Sequence, residues 1–265
     1  MKHKINFISF FLVLVITPSI FSQSSTPQVT DSSCSPHTWS YLGAGSAVLI
    51  TAVLFHNDQQ IYDNLYQWKI RNKIVNNVSP VITNLGDGTF SLGLFGGFAG
   101  YGLLFKDEKA FEAGKIGIES FLLTGVAVQL FKNLCGRERP SAATRPGGFW
   151  HGPLAYIREP KGGKGISSFD AFPSGHTTTV FAAATTISDF YTESWVSYLC
   201  YSLATATAVS RITESTHWMS DCFVGAILGH YGTKLVEKLN YGSGGIALLP
   251  QVDEHQYGLL LSVKF

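Results

Sequence analysis

Charge is what this sequence has least of. Only 14% of its 265 residues are charged, against roughly a quarter in an average soluble domain. Nineteen basic and eighteen acidic residues leave a formal charge of +1, so no global field steers the chain toward nucleic acid. Any phosphate chemistry has to come from local clusters. Cysteine is scarce as well: Cys34, Cys135, Cys200 and Cys222 form no C-x-x-C pair and no zinc-ligand spacing. Internal repeats and low-complexity tracts are absent. Apolar residues, by contrast, make up 45% of the chain, and mean hydropathy is +0.16. That composition excludes intrinsic disorder, which needs few apolar residues and much charge. The length suits one good-sized domain with a proper core.

The N-terminus reads as an export signal. Lys2-His3-Lys4 is followed by a mostly apolar run from Ile5 to Ile20 and by the polar Ser22-Gln23-Ser24-Ser25. An uncleaved membrane anchor is the alternative, although the run is short for a bilayer span, which needs about 20 residues. The expected organisation is a signal peptide over 1–23, a linker over 24–37, a helical domain over 38–240 and a tail over 241–265.

Helices are expected near 38–56, 89–105, 113–134, 175–190, 194–210 and 217–239, with separators rich in Asp, Asn, Gly, Pro or charge. The fold class is therefore all-α, a six-helix bundle core. Residues 140–172 break the pattern with Pro140, Pro146, Pro153 and Pro160 and many glycines, and a loop this long in a compact domain is usually functional. The stretches between Asp31 and Asp58 and between Asp87 and Lys106 carry no charge, long enough to cross a bilayer. The later segments are more interrupted, so membrane helices and a soluble bundle both stay open. Ile246–Pro250 and Tyr257–Phe265 flank a polar turn and predict a short C-terminal β-hairpin.

Three clusters combine residue types that a phosphate site needs. Lys132 and Arg139, at the end of the third expected helix, offer a mobile point charge and a planar fork for two phosphate oxygens. Basic residues there also complement the helix dipole, so this cluster alone decides nothing. Phe172-Pro173-Ser174-Gly175-His176 opens the next helix. Ser174 can cap it, the free amides can face an anion, Gly175 permits close approach, and His176 can protonate a leaving oxygen. Ser210-Arg211 precedes His217 and Asp221. On a helix the latter two share a face, so the carboxylate can hold one imidazole nitrogen and leave the other as nucleophile. Two antiparallel helices between His176 and Arg211 return the last two clusters to the same end of the bundle.

These residues read as K-x6-R-P at Lys132–Pro140, P-S-G-H at Pro173–His176 and S-R-x5-H-x3-D at Ser210–Asp221. Their joint order resembles the signature motifs of the type-2 phosphatidic acid phosphatase superfamily, over about residues 38–240. The resemblance implies an all-α phosphatase that needs no metal or other cofactor. His217 would be the nucleophile that becomes a phosphohistidine, Asp221 its orienter and His176 the general acid. Lys132, Arg139, Ser174, Gly175 and Arg211 would hold the phosphoryl oxygens. The expected substrate is a phosphorylated lipid, with the enzyme in or at the membrane of the cell envelope, its site facing the periplasm and no nucleic-acid partner. The Phe/Gly-rich segment 89–105 and the aromatic Phe149-Trp150-His151 favour the lipid. A soluble periplasmic acid phosphatase, a vanadate-dependent haloperoxidase and a non-catalytic phosphate-binding protein are the alternatives. Cys135 and Cys222 both border the motifs, which raises a disulfide between them.

Overall fold

The computed structural model describes residues 36–155, 168–241, 246–253 and 256–263. The expected signal peptide and nearly all of the linker lie outside them. Seven α-helices are present among the described residues: α1 (Pro36–Arg71), α2 (Lys73–Ile82), α3 (Gly88–Phe105), α4 (Glu108–Cys135), α5 (Gly175–Phe190), α6 (Ser194–Thr213) and α7 (Met219–Tyr241). Thr83–Gly86 and Pro140–Ala142 form single 3-10 turns. After α7, Ile246–Asp253 pairs antiparallel with Gln256–Val263.

Helix boundaries follow local chemistry. Asp87 accepts from the Thr89 amide at the start of α3, Asp107 from Ala110 at the start of α4, and Asn72 from Ile74 and Val75 at the start of α2. Each side chain satisfies a backbone donor that a helix start leaves orphaned. α3 ends at Lys106 and α4 at Gly136, both left-handed, with φ of 56° and 59°. At Gly136 a Cβ would also fall 2.5 Å from the Gly152 carbonyl, so only glycine turns the chain here from α4 into the Arg137–Arg139 segment.

Two departures from the sequence reading matter for the site. α1 runs on to Arg71, because its polar second half is anchored: Tyr62 Oη and Ser215 Oγ are 2.8 Å apart, and Lys69 donates to Glu214 at 2.8 Å. α2 was not anticipated at all. It carries Pro80 inside it and leads directly into the 3-10 turn that reaches the site.

The packing favours small residues inside. α4 buries Ala110, Ala113, Gly114, Ile116, Gly117, Ser120, Thr124 and Val128 on one stripe of three- and four-residue steps. It exposes Leu122, Val126, Leu130 and Leu134. α3 buries Ser91, Phe95 and Gly102 and exposes Leu103, Leu104 and Phe105. Small residues inward and large apolar residues outward is the pattern by which helices pack in lipid. α3 and α4 are both long and apolar enough to cross a membrane, α3 reaching about 27 Å at 1.5 Å per residue.

Candidate active site

The site is assembled where α4 ends, α5 begins and α6 passes into α7. α5 is capped by Ser174, whose side chain accepts from the Thr177 amide. The Ser174 amide donates to the Asp221 carbonyl at 3.1 Å and ties α5 to α7. Ser174 is fully buried, so its hydroxyl serves the cap. Among the described residues the amides of Gly175 and His176 have no acceptor, and they open the first turn. That gives a helix N-terminus with donors available to an anion. A Cβ on Gly175 would meet only Val128, at 3.7 Å, so bulk at this position is not what the fold forbids.

His217 is fully buried, and its Nδ1 lies 2.6 Å from the Ala171 carbonyl oxygen. A carbonyl can only accept, so Nδ1 carries the proton and Nε2 keeps its lone pair. Burial, then the charges of Arg139, Arg211 and Lys132, push His217 well below the ordinary histidine range. It is thus a neutral imidazole close to three cations. His176 is pushed down to about 4, again by burial first and then by Arg211. Asp87 pulls it the other way. The turn Thr83–Gly86 packs on His176 so closely that a Cβ on Gly86 would fall 2.7 Å from its carbonyl oxygen.

Three cations bear on both histidines. Arg139 presents Nε and Nη2 to the Asp170 carboxylate at 2.7 and 3.0 Å, and Lys132 donates to the same carboxylate at 3.3 Å. Arg211 donates Nη1 to Thr83 Oγ1 at 2.7 Å, while its buried Nε has no partner among the described residues. A buried donor with no acceptor is costly unless a ligand supplies one.

One expected contact is not made. Asp221 stands 3.9 Å from His217 Nδ1, too far for a hydrogen bond. α7 starts only at Met219, so His217 precedes the helix and the expected shared face does not exist. Asp221 instead accepts from the Trp218 amide at 2.8 Å and from Arg137 Nη1 at 2.5 Å. Cys135 and Cys222 are free thiols, so the disulfide that their positions raised is not formed.

The sequence model of the PAP2 superfamily matches residues 116–241. Over that stretch the chain is similar to the PAP2 superfamily. It is 42% identical over 62 residues to a lipid A 1-phosphatase of Porphyromonas gingivalis, covering 23% of this chain and 14% of that protein. It is 28% identical over 166 residues to a lipid A 1-phosphatase of Rhizobium johnstonii, covering 58% and 64%. The aligned stretches thus span less than two thirds of either relative. Among solved structures it resembles Aquifex aeolicus LpxE, with a TM-score of 0.51 and 20% identity over 68% of this chain and 94% of that one. This is a likeness of fold.

Several residues of this site escaped the sequence reading. Arg137 is buried and donates to Asp221, to Ser220 Oγ at 2.7 Å, to Asp58 at 2.7 Å and to the Gly147 carbonyl at 2.7 Å. Phe55, Trp150 and Trp218 lie against its guanidinium at 5.0–5.5 Å. Asp58 comes from α1, outside the matched residues, and also accepts from the Ser220 amide at 2.9 Å. Glu138 is buried and accepts from Thr144 N, Phe149 N and His151 Nε2 at 2.8, 3.0 and 2.9 Å. Burial raises its pKa, but these donors outweigh it and hold Glu138 at about 2. The loop is thereby folded back under the site, and Trp218 Nε1 donates to the Glu138 carbonyl at 2.7 Å. Trp150 packs on Phe55 and Phe172 yet remains 39% exposed. A signal existed only for Asp170, the single acidic residue between Glu159 and Asp189.

Proposed function

We propose that this protein is a phosphatase that hydrolyses a lipid phosphate or pyrophosphate through a phosphohistidine. The observation that carries the reading is the set of donors, unanswered among the described residues, around two neutral histidines. These are Arg211 Nε, Arg139 Nη1 and the amides of Gly175 and His176. Phosphoryl transfer asks mainly for positioning and for stabilised charge on three equatorial oxygens. His217 Nε2 attacks phosphorus, the bond to the leaving oxygen breaks, and His176 protonates that oxygen. Water then cleaves the P–N bond, and the proton returns through His176. An incoming phosphate dianion raises the His176 pKa, so the acid is charged only when substrate is present. Asp221 acts through the loop it braces and by its charge near His217.

The lipid is favoured by the exposed apolar surfaces of α3 and α4, which we read as membrane-crossing. The relatives' names, lipid A 1-phosphatase, point the same way. The architectural part of the proposal is a six-helix core over 38–240, with α2 as an addition, and a hairpin tail over 241–265. Residues 1–23 would direct export and 24–37 link, placing the site on the periplasmic side.

The test is phosphate release by the full chain in detergent with EDTA, offering lipid A, phosphatidate, undecaprenyl pyrophosphate and p-nitrophenyl phosphate. A lipid should be strongly preferred. His217→Ala should lose at least about a thousandfold in turnover with its melting temperature kept. Wild-type rates in that variant refute the mechanism, and preference for the water-soluble ester refutes the lipid.

A further inference from the structure

A short segment before α5 has no assigned part in the chemistry, yet it touches both halves of the site. Residues 168–171 run beside 137–139: the Arg139 amide donates to Ser168 O at 2.9 Å and the Ala171 amide to Arg137 O at 3.0 Å. This pairing carries two consecutive residues into the site. Asp170 holds the Nε–Nη2 edge of Arg139 and reaches Lys132, while the Ala171 carbonyl holds His217 Nδ1. One dipeptide therefore fixes the cation fork relative to the imidazole that must attack between its charges.

The geometry of the fork decides what Asp170 leaves over. A carboxylate on the Nε–Nη2 edge occupies one side of the planar guanidinium. The Nη1 donors have no protein partner among the described residues. Asp170 therefore does not exhaust Arg139; it orients it. Asp170 is held in turn. Burial raises its carboxyl pKa, but Arg139 and Lys132 outweigh that and keep it below the usual carboxylate range, so the clamp stays charged. It also offsets one of the three cations, leaving a surplus near the charge of a phosphate monoester, about −1.5 to −2 at pH 7.

We propose that Asp170 is a positioning residue for phosphate: its carboxylate clamps Arg139 and Lys132 so that the open Nη1 edge meets the phosphoryl oxygens in line with His217. This rests on the phosphatase reading above. The competing role is the opposite one, an internal anion that blocks the cradle and must be displaced.

Direct binding separates the two, because it does not require turnover. Orthophosphate and orthovanadate affinities of the full chain in detergent are measured by ligand-dependent shifts in melting temperature, alongside KM and kcat. Asp170→Asn keeps the volume and removes the charge. The expected result is about tenfold weaker orthovanadate binding and a KM raised by a similar factor, with a smaller loss in kcat. Asp170→Glu should recover part of the loss. If Asp170 acts through the fork, Asp170→Asn placed on Arg139→Lys should cost little more than Arg139→Lys alone. Tighter anion binding in Asp170→Asn would make the residue a competitor and overturn the proposal, as would unchanged KM and affinity. Should Asp170→Asn fail to fold, Asp170→Glu carries the test: one added methylene must raise KM at an unchanged melting temperature, and an unaltered KM overturns the role. A wild-type protein that neither binds orthophosphate nor releases phosphate would sink the phosphatase reading itself. Wild-type binding that Asp170 leaves unaffected sinks only the clamp.

Discussion

Arg137 and Arg139 stand two residues apart and belong to two different regions of the molecule. Arg137 lies in a closed hub: Asp58, Asp221, Ser220 and the Gly147 carbonyl take its Nη donors, and aromatic rings cover its faces. Arg139 lies in an open cradle, with one carboxylate on one edge and the other edge unanswered among the described residues. Among the described residues the hub has two carboxylates for one guanidinium, and the cradle has three cations for one contacting carboxylate. In the hub the charges are answered by protein, so its task is to join α1, the loop after α4 and α7. The cradle's surplus is answered by no other group among the described residues, and a buried surplus of one sign is stable only beside a counter-ion or a ligand. Identical side chains in one motif thus divide into brace and receptor according to what the fold places opposite them.

The comparison breaks most visibly at the hub. Arg137→Ala leaves Asp58 and Asp221 buried without their cation, and breaking such a pair costs about 3–5 kcal/mol. The expected outcome is a large fall in melting temperature or loss of soluble protein, even with orthophosphate present. A variant that melts like wild type would show that the hub is not a brace.

At the cradle the effect should move from stability to activity. Arg139→Ala removes a donor aimed at developing charge, a loss usually worth about 10²–10³ in rate. Its melting temperature should stay near wild type, since Arg139 pairs with a partly exposed carboxylate and buries no second charge. Activity and stability measured on the two alanine variants should therefore cross over. If Arg139→Ala is the less stable of the two, the division into brace and receptor is wrong.

Much of the cradle was legible in the sequence, and little of the hub was. Lys132, Arg139, His176, Arg211 and His217 stand in spacings whose chemistry can be argued residue by residue, and the fold brings their charges onto both histidines. Arg137 has the same side chain as Arg139 and sits in the same run, so only its burial distinguishes it. Asp58 and Thr83 arrive from α1 and the turn after α2, distant in sequence and marked by no spacing. The direct contact expected between Asp221 and His217 is missing because an i,i+4 pair shares a face only when both residues are helical, and α7 begins after His217. α2 was hidden by Pro80 and by the charges of residues 58–73, which resemble a separator until the partners just after α6, Glu214 and Ser215, are known.

The smallest expected effect sharpens the comparison through pH, because the two regions titrate in opposite senses. In the hub, burial pushes Asp221 up to about 7 against the pull of Arg137. Between its unfolded value near 4 and 7, the folded state binds more protons there, so acidification favours folding. In the cradle His176 is pushed down to about 4 from 6.5. Between those values the unfolded state binds more protons, so its contribution is fully present above 6.5 and is lost as pH falls toward 4. His217, also lowered, acts in the same direction as His176. The net slope of the wild type is therefore shallow, and the informative quantity is a difference. His176→Gln removes one acid-sensitive group of the cradle and leaves the hub alone, so its melting temperature relative to wild type should rise between pH 7 and pH 5. Parallel curves for the two proteins would mean that His176 is not held neutral in the free enzyme, and with that the argument that substrate charges the acid would fall.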